Sequence, residues 1–254
     1  MADVKMLFLD VNNTVSHPQK CDGMFSTGDE EFYITSENLS LLKQISEKIP
    51  VFVVSGRRHS RFQSLHNLYP FCSAIIEHGC LIFEKDKMDA EYFSRFFEYA
   101  GELGKKQGLL WDFERMLNSQ GIKTDSVGRV ATFRVLLDGW TKEQKNDFLA
   151  KKLPFNLQAV ENVGHIDIIP PMGGKEKAVD FLLNKYKTEW SKIVCMGDSA
   201  SDANMLAKSG FSVTHSMADQ KVLNLLKNPG YLSPFKYHEA AADMLKHVLS
   251  MVKV

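Results

Sequence analysis

Asp10-Val11-Asn12-Asn13-Thr14 follows a short apolar run, Lys5–Leu9, that ends at a carboxylate. On an extended chain, residues two apart point the same way at roughly 6–7 Å, so Asp10 and Asn12 can face one ligand. An Asx-rich turn capping the next element would use the same residues. Ser55-Gly56-Arg57-Arg58 closes a second apolar run, Val51–Val54. A hydroxyl and a backbone freed by glycine at a strand end suit a phosphate oxygen, although an ordinary strand-to-helix turn needs no ligand. Lys175 follows Pro170-Pro171-Met172-Gly173-Gly174 and opens a helical pattern. A lysine there opposes the helix dipole, and a bound anion would give it a reason; a solvated surface lysine is the plainer use. Gly197-Asp198-Ser199-Ala200-Ser201-Asp202 follows the apolar run Ile193–Met196. Two carboxylates in a tight loop at a sheet edge suit a hard cation, and simple helix capping by Ser201 or Asp202 is the alternative.

The elements that must position these segments are legible in the periodicity. Lys5–Leu9, Val51–Val54, Ala74–Ile76 and Ile193–Met196 read as buried strands. Leu39, Leu42, Ile45 and Ile49 recur at helical spacing between the first two, with Thr35 or Ser36 as N-cap and Pro50 as the stop. Strand, helix, strand is the order of a parallel α/β unit, in which ligands bind just beyond the strands' carboxyl ends. From about Glu84 the texture changes: Phe93, Phe96, Phe97, Ala100 and Leu103 keep helical spacing, Arg129–Leu137 reads as a strand, Thr141–Lys152 as an amphipathic helix and His165–Ile169 as another strand. The α/β rhythm resumes with helices at Lys175–Lys187 and Ala203–Ser209, a strand at Phe211–Val213, and helices at Asp219–Lys227 and Glu239–Val252. The expected architecture is a doubly wound, Rossmann-like parallel α/β sheet in residues 1–83 and 170–254, with an inserted α+β cap domain in residues 84–169.

Composition narrows the class. Of 254 residues 44% are hydrophobic and 24% charged, too apolar for a disordered chain. Lys+Arg and Asp+Glu are 31 each, so no global field draws the chain toward nucleic acid or an anionic membrane. Arg57, Arg58, His59 and Arg61 form a local basic cluster, readable either as a solvated helix face or as phosphate steering. Cys21, Cys72, Cys80 and Cys195 lack any CxxC pair and read as free thiols. The apolar run before Asp10 is too short for a signal or a membrane span, so a cytoplasmic protein is expected. No GxGxxG follows the first strand, which argues against a dinucleotide oxidoreductase.

Asp-x-Asx-Asn-Thr, Ser-Gly-Arg, Lys and Gly-Asp-x-x-Ser-Asp, in that order over nearly the whole chain, resemble the four motifs of the haloacid dehalogenase-like phosphotransferase superfamily. The long insertion between the second and third resembles its large-capped branch, which holds Cof-type hydrolases, phosphomannomutases, and trehalose-phosphate, sucrose-phosphate and mannosyl-phosphoglycerate phosphatases. The resemblance implies a small phosphorylated substrate, a sugar phosphate in the first instance, with Mg2+ as cofactor. It implies Asp10 as nucleophile, forming an aspartyl-phosphate. Ser55 would hold a phosphoryl oxygen, with Gly56 and Arg57 beside it, and Lys175 would neutralise Asp10 and the phosphate. Asp10, the backbone carbonyl of Asn12 and Asp198 would ligate the metal, supported by Asp202.

Two positions depart from the pattern. Asn12 stands where the family carries an acid/base aspartate, and an amide cannot carry that proton. An exchange introduced to trap ligand is the foremost reading, beside a naturally slow phosphatase and a protein that binds without turnover. A phosphomutase shares the same first motif. Ser201 stands where asparagine is frequent, a milder change because a hydroxyl also donates and accepts. Substrate choice falls to the cap, whose candidates are Arg129, Arg134, Glu161, His165 and Asp167. On a strand, Arg129 would share a face with Ala131, Phe133 and Val135, with Arg134 on the other.

Overall fold

The computed structural model describes residues 3–20, 24–26, 32–162, 164–225 and 230–252. Cys21 and Lys227, named above, lie outside these residues; Cys72, Cys80 and Cys195 are buried free thiols.

The first strands are β1 (Met6–Asp10), β2 (Met24–Ser26), β3 (Tyr33–Thr35), β4 (Val51–Val54), β5 (Ser73–Ile76), β6 (Leu81–Glu84) and β7 (Lys87–Met88). Then come β8 (Thr124–Asp125), β9 (Phe133–Val135), β10 (Gln158–Asn162), β11 (His165–Ile169), β12 (Ile193–Met196), β13 (Phe211–His215) and β14 (Gly230–Ser233). Among the described residues the large sheet runs β14-β13-β12-β1-β4-β5-β6-β7. It is parallel from β14 to β5, and β6 and β7 extend it antiparallel. β1 sits inside it, apolar and buried until its last residue, Asp10. Chain order runs outward from β1 through β4 and β5, then returns to β1's other side as β12. The carboxyl ends of β1 and β12 therefore flank the switch point where such sheets bind ligands. Helix Ser36–Ser46 packs on Tyr237–Met251, and Lys175–Lys185 on Ala203–Lys208.

A smaller antiparallel sheet, β10-β11-β9-β8, has its own core of Trp111, Phe113, Phe133, Phe148, Ile166 and Ile168. Helices Leu109–Ser119 and Lys142–Ala150 supply three of these residues, the second helix opened by a Thr141–Gln144 capping box.

Several expectations need correction. The strand expected at Arg129–Leu137 is confined to Phe133–Val135, because the amides of Val130 and Ala131 donate to the Glu77 carboxylate (3.1 and 2.9 Å) and not to a ladder. The helical spacing from Phe93 to Leu103 breaks into Ala90–Ser94 and Phe97–Ala100, closed by Gly101 at φ 69°, and Leu103 is exposed. Of the two N-cap candidates Thr35 is the cap, accepting from the Asn38 amide. The short strands β2, β3, β6, β7, β8, β10 and β14 escaped the periodicity reading altogether.

Glu77, His78 and Gly79 follow β5 with φ of 48°, 54° and 87°, an arrangement costly for the two non-glycine residues. The surroundings hold it in place. The buried Glu77 carboxylate also accepts from the His59 amide (2.9 Å) and the Thr132 hydroxyl (3.1 Å). The His78 carbonyl accepts from Gly174 N (2.8 Å), and the Gly79 carbonyl from the Tyr92 hydroxyl (2.6 Å). A Cβ at Gly79 would stand 2.2 Å from the Gly174 oxygen. Gly79→Ala is therefore expected to lose roughly 2–3 kcal/mol of stability, read as a lower urea midpoint. A loss below about 0.5 kcal/mol, the range of an unremarkable surface change, would show that the segment yields freely.

Candidate active site

Three loops at the carboxyl ends of β1, β4 and β12, with the helix that starts at Lys175, bring the four motifs together. Lys175 is the first residue of its helix and buried; its Nζ donates to Asp10 Oδ1 and to Asp202 Oδ1, both at 2.6 Å. The dipole conflict read from sequence is thus settled by two carboxylates. Asp202 Oδ2 accepts from the amides of Asp198 (3.3 Å) and Ser199 (3.0 Å) and from the Ser199 hydroxyl (2.7 Å). Gly197 makes room for it: a Cβ there would lie 2.6 Å from that of Asp202. Thr14 Oγ1 donates to Asp198 Oδ1 at 2.7 Å, tying the first motif to the fourth.

One ammonium faces three buried carboxylates, each offering an oxygen within 4.8 Å of the others'. Burial pushes Asp10 up from 3.8 to about 7, with Lys175 opposing and Asp202 adding to the rise. Burial and the charges of Asp10 and Asp202 push Asp198 well above the carboxylate range. Burial alone would lower Lys175, but Asp10 and Asp202 outweigh it and keep the ammonium charged. Such a site has more negative charge than its ammonium can offset, and its donors are hard oxygens, so the residues present fit a magnesium ion. Asp10 Oδ2 and Asp198 Oδ2 take no hydrogen bond among the described residues, whereas both Asp202 oxygens are already engaged. Asp10 and Asp198 thus fit as ligands and Asp202 as their support.

The second motif is placed by β4 and β5: the Ser55 amide donates to the Ile75 carbonyl (2.8 Å), and its hydroxyl accepts from Arg57 N (3.2 Å). Gly56 is required by close packing, since a Cβ would lie 2.5 Å from the His78 ring. Arg57 Nη2 donates to Asn12 Oδ1 at 2.7 Å. Residue 12 thus has a cation beside it, a partner suited to an aspartate as much as to an amide.

Asn13 has φ 61°, and its carbonyl accepts from His215 Nε2 at 2.7 Å. Met217 N donates to His215 Nδ1 (3.2 Å), which fixes the tautomer. His215 lies at the end of β13, and its role left no trace in the sequence.

A cavity of about 900 Å³ joins these residues to the cap. Asp10, Asn12, Ser55, Gly56, Arg57, Lys175 and Asp198 line it, as do Arg129, Arg134 and Glu161 from the cap; Asp202, His165 and Asp167 do not. Asp167 is fully buried behind the wall, accepting from Arg134 Nε (2.8 Å) and Nη2 (3.0 Å), from Asn162 Nδ2 (2.8 Å) and from His78 Nε2 (2.8 Å). Despite burial, the His78 and Arg134 bonds hold its carboxyl far below the usual range. Arg129 does not follow the strand alternation expected of it, because the chain turns at Ser126–Arg129 and both arginines reach the same carboxylate. His78 and Asn162 were missed; neither sits in a motif. Arg58 bonds Asp125 (3.2 Å) and the Val127 carbonyl (2.9 Å), so it holds the cap's return loop as well as lining the cavity.

A family model described as sucrose-6F-phosphate phosphohydrolase matches residues 145–243, which include Lys175, Asp198 and Asp202. A phosphoglycolate phosphatase of Sulfolobus acidocaldarius is 22% identical over 232 residues, covering 90% of this chain and 94% of that protein. Among solved structures, the sucrose-phosphatase of Synechocystis in complex with sucrose and phosphate superposes with a TM-score of 0.70 at 16% identity, over 97% of this chain and 98% of that one. A haloacid dehalogenase-like hydrolase from B. subtilis gives 0.70 at 15%, over 96% and 100%. Among the described residues no helix is long and apolar enough to cross a membrane. The family model covers the part of the chain that carries the third and fourth motifs, and over nearly its whole length the fold is similar to that of haloacid dehalogenase-like hydrolases.

Proposed function

We propose that the chain hydrolyses a small phosphorylated metabolite, in the class of sugar phosphates and related phosphoesters, through an aspartyl-phosphate on Asp10. The observation that carries this is the buried Lys175 ammonium between Asp10 and Asp202, with Asp198 alongside. Asp10 attacks phosphorus as the ester P–O bond breaks and the alkoxide leaves; water then cleaves the acyl phosphate and frees inorganic phosphate. Lys175 screens the approach of anionic nucleophile to anionic ester. Ser55 and the backbone at Gly56 receive a phosphoryl oxygen. Asp10, Asp198 and the backbone carbonyl of Asn12 would hold a magnesium ion, which when bound draws charge off the phosphoryl oxygens. Residues 1–83 and 170–254 carry this chemistry and residues 84–169 act as the cap that selects the leaving group.

Asn12 sets the rate. Its amide can hold geometry through Arg57 but cannot protonate the alkoxide or activate water. It therefore supports a second reading, a phosphometabolite-binding protein with weakened turnover.

With magnesium, Asn12→Asp is expected to raise kcat by roughly 10²–10⁴-fold. On p-nitrophenyl phosphate, whose leaving group needs little protonation, the Asn12 chain should show a burst of phenolate and then a slow steady phase. Equal turnover of the two chains would remove residue 12 from the acid/base position.

Metal removal has a predictable sign. Asp10 folds with its carboxyl raised from 3.8 to about 7, so the metal-free protein should lose stability as pH rises through that window. At pH 8 added magnesium should raise the thermal midpoint. Asp198→Asn should raise the metal-free midpoint and abolish the magnesium response; a retained response would exclude Asp198 as a ligand.

A further inference from the structure

The loop that follows β13 touches both loops that carry the candidate magnesium ligands. On one side His215 Nε2 donates to the Asn13 carbonyl at 2.7 Å; on the other the Asp219 amide donates to the Asp198 carbonyl at 2.8 Å. The Asp219 carboxylate also accepts from the Ala200 amide (2.8 Å). The loop is short and tied to itself, with Ala218 N donating to the His215 carbonyl at 3.0 Å. His215 is buried, its Nδ1 accepts from the Met217 amide, and the His17 ring lies edge-on to it at 6.0 Å. With Nδ1 so occupied, the ring proton stands on Nε2, where the Asn13 carbonyl takes it up. Asn13 at φ 61° holds a left-handed conformation costly for any residue but glycine, though least so for asparagine. Its own amide donates to the Ser16 carbonyl at 2.7 Å. A peptide is planar and trans, so the Asn12 carbonyl points opposite to that amide, away from Ser16. His215 holds the next peptide by its oxygen. Between these two bonds the turn at Asn13 is locked, and the direction of the Asn12 carbonyl with it.

We propose that His215 is a positioning residue for the metal: it aims the backbone carbonyl of Asn12 by holding the peptide that follows. The assignment rests on the magnesium site of the proposed function. Without the His215 bond, Asn13 loses the partner that offsets its strained backbone; the extended region, lower in energy, opens to it, and the Asn12 carbonyl turns away with the peptide. The same turn orients a second ligand, because Thr14 Oγ1, one residue on, donates to Asp198 Oδ1 at 2.7 Å. Groups that orient the ligands of a metal govern its affinity without touching it.

Urea unfolding at increasing magnesium chloride and constant ionic strength tests this without any turnover. The metal-free midpoint reports a merely structural role, whereas stabilisation by the metal grows as RT ln(1 + [Mg]/Kd) and yields the affinity. His215→Leu is expected to raise Kd about tenfold or more, the range typical when a partner that orients a ligand is lost. His215→Gln, whose amide nitrogen stands where Nε2 does, should keep Kd close to that of the unmodified chain. His215→Asn, with an amide too short to reach the Asn13 carbonyl, should behave as leucine does, and it replaces leucine should that variant not fold. An unchanged Kd in the leucine and asparagine chains, or a Kd raised as far by glutamine, overturns the assignment. So does the Nδ1–H tautomer of His215 in nitrogen NMR of the unmodified chain. No magnesium response in the unmodified chain defeats the metal site and this assignment with it; a response indifferent to residue 215 defeats this assignment alone. Turnover of p-nitrophenyl phosphate by Asn12→Asp judges the phosphatase reading itself.

Discussion

The buried ammonium of Lys175 is the interaction on which the remaining geometry depends. It joins the end of β1 to the loop after β12 through Asp10 and Asp202, residues far apart in sequence, and it does so where burial makes every uncompensated charge expensive. Removing either partner would leave a charge stranded in low dielectric, so the lysine and its carboxylates hold one another in place. Asp202 then orders the Asp198–Ser199 backbone, and Thr14 returns the link to the first motif. The structural ion-pair network and the site proposed for phosphoryl transfer are the same set of atoms. Its geometry is enforced by the energetics of folding before any ligand arrives.

How much of this could be read from the chain follows from how local each cause is. Asp10, Ser55 and Asp198 were legible because each ends or follows a short apolar strand, and strand ends in a parallel sheet share one edge. Lys175, by contrast, opens the helix after β11 of the small sheet and stood out only by its place at a helix start. β4, β11 and β12 were read to the residue because their apolar runs are bounded by turn residues. The strand at Arg129–Leu137 was overread because a carboxylate more than fifty residues upstream, Glu77, takes its first amides. The pairing of Arg57 with Asn12 and of His215 with the Asn13 carbonyl lies between loops that only the folded sheet makes neighbours. Arg129 and Arg134 were named as separate candidates, but their common carboxylate is a property of tertiary structure.

Cap and core meet through a few atoms of unusual density. Glu77 grips the segment Val130–Thr132 ahead of β9, His78 reaches Asp167, and Gly56 owes its missing side chain to the His78 ring. A change in the cap network is thereby felt at the second motif within two residues of Ser55. The cap wall and the second motif thus share a mechanical connection.

The sheet order has a consequence for how the chain acquires its structure. The small sheet, β8 to β11, closes entirely within residues 124–169 by antiparallel neighbours. β1, by contrast, pairs early with β4, yet its other edge waits for Ile193–Met196. As the polypeptide leaves the ribosome, that apolar edge, Met6–Leu9, is open for most of synthesis and offers unpaired backbone to any neighbouring strand. Local pairings form faster than distant ones. The small sheet can therefore close before the large one, and pairing of β12 with β1 both ends the exposure and brings the loop of Asp198 beside Asp10.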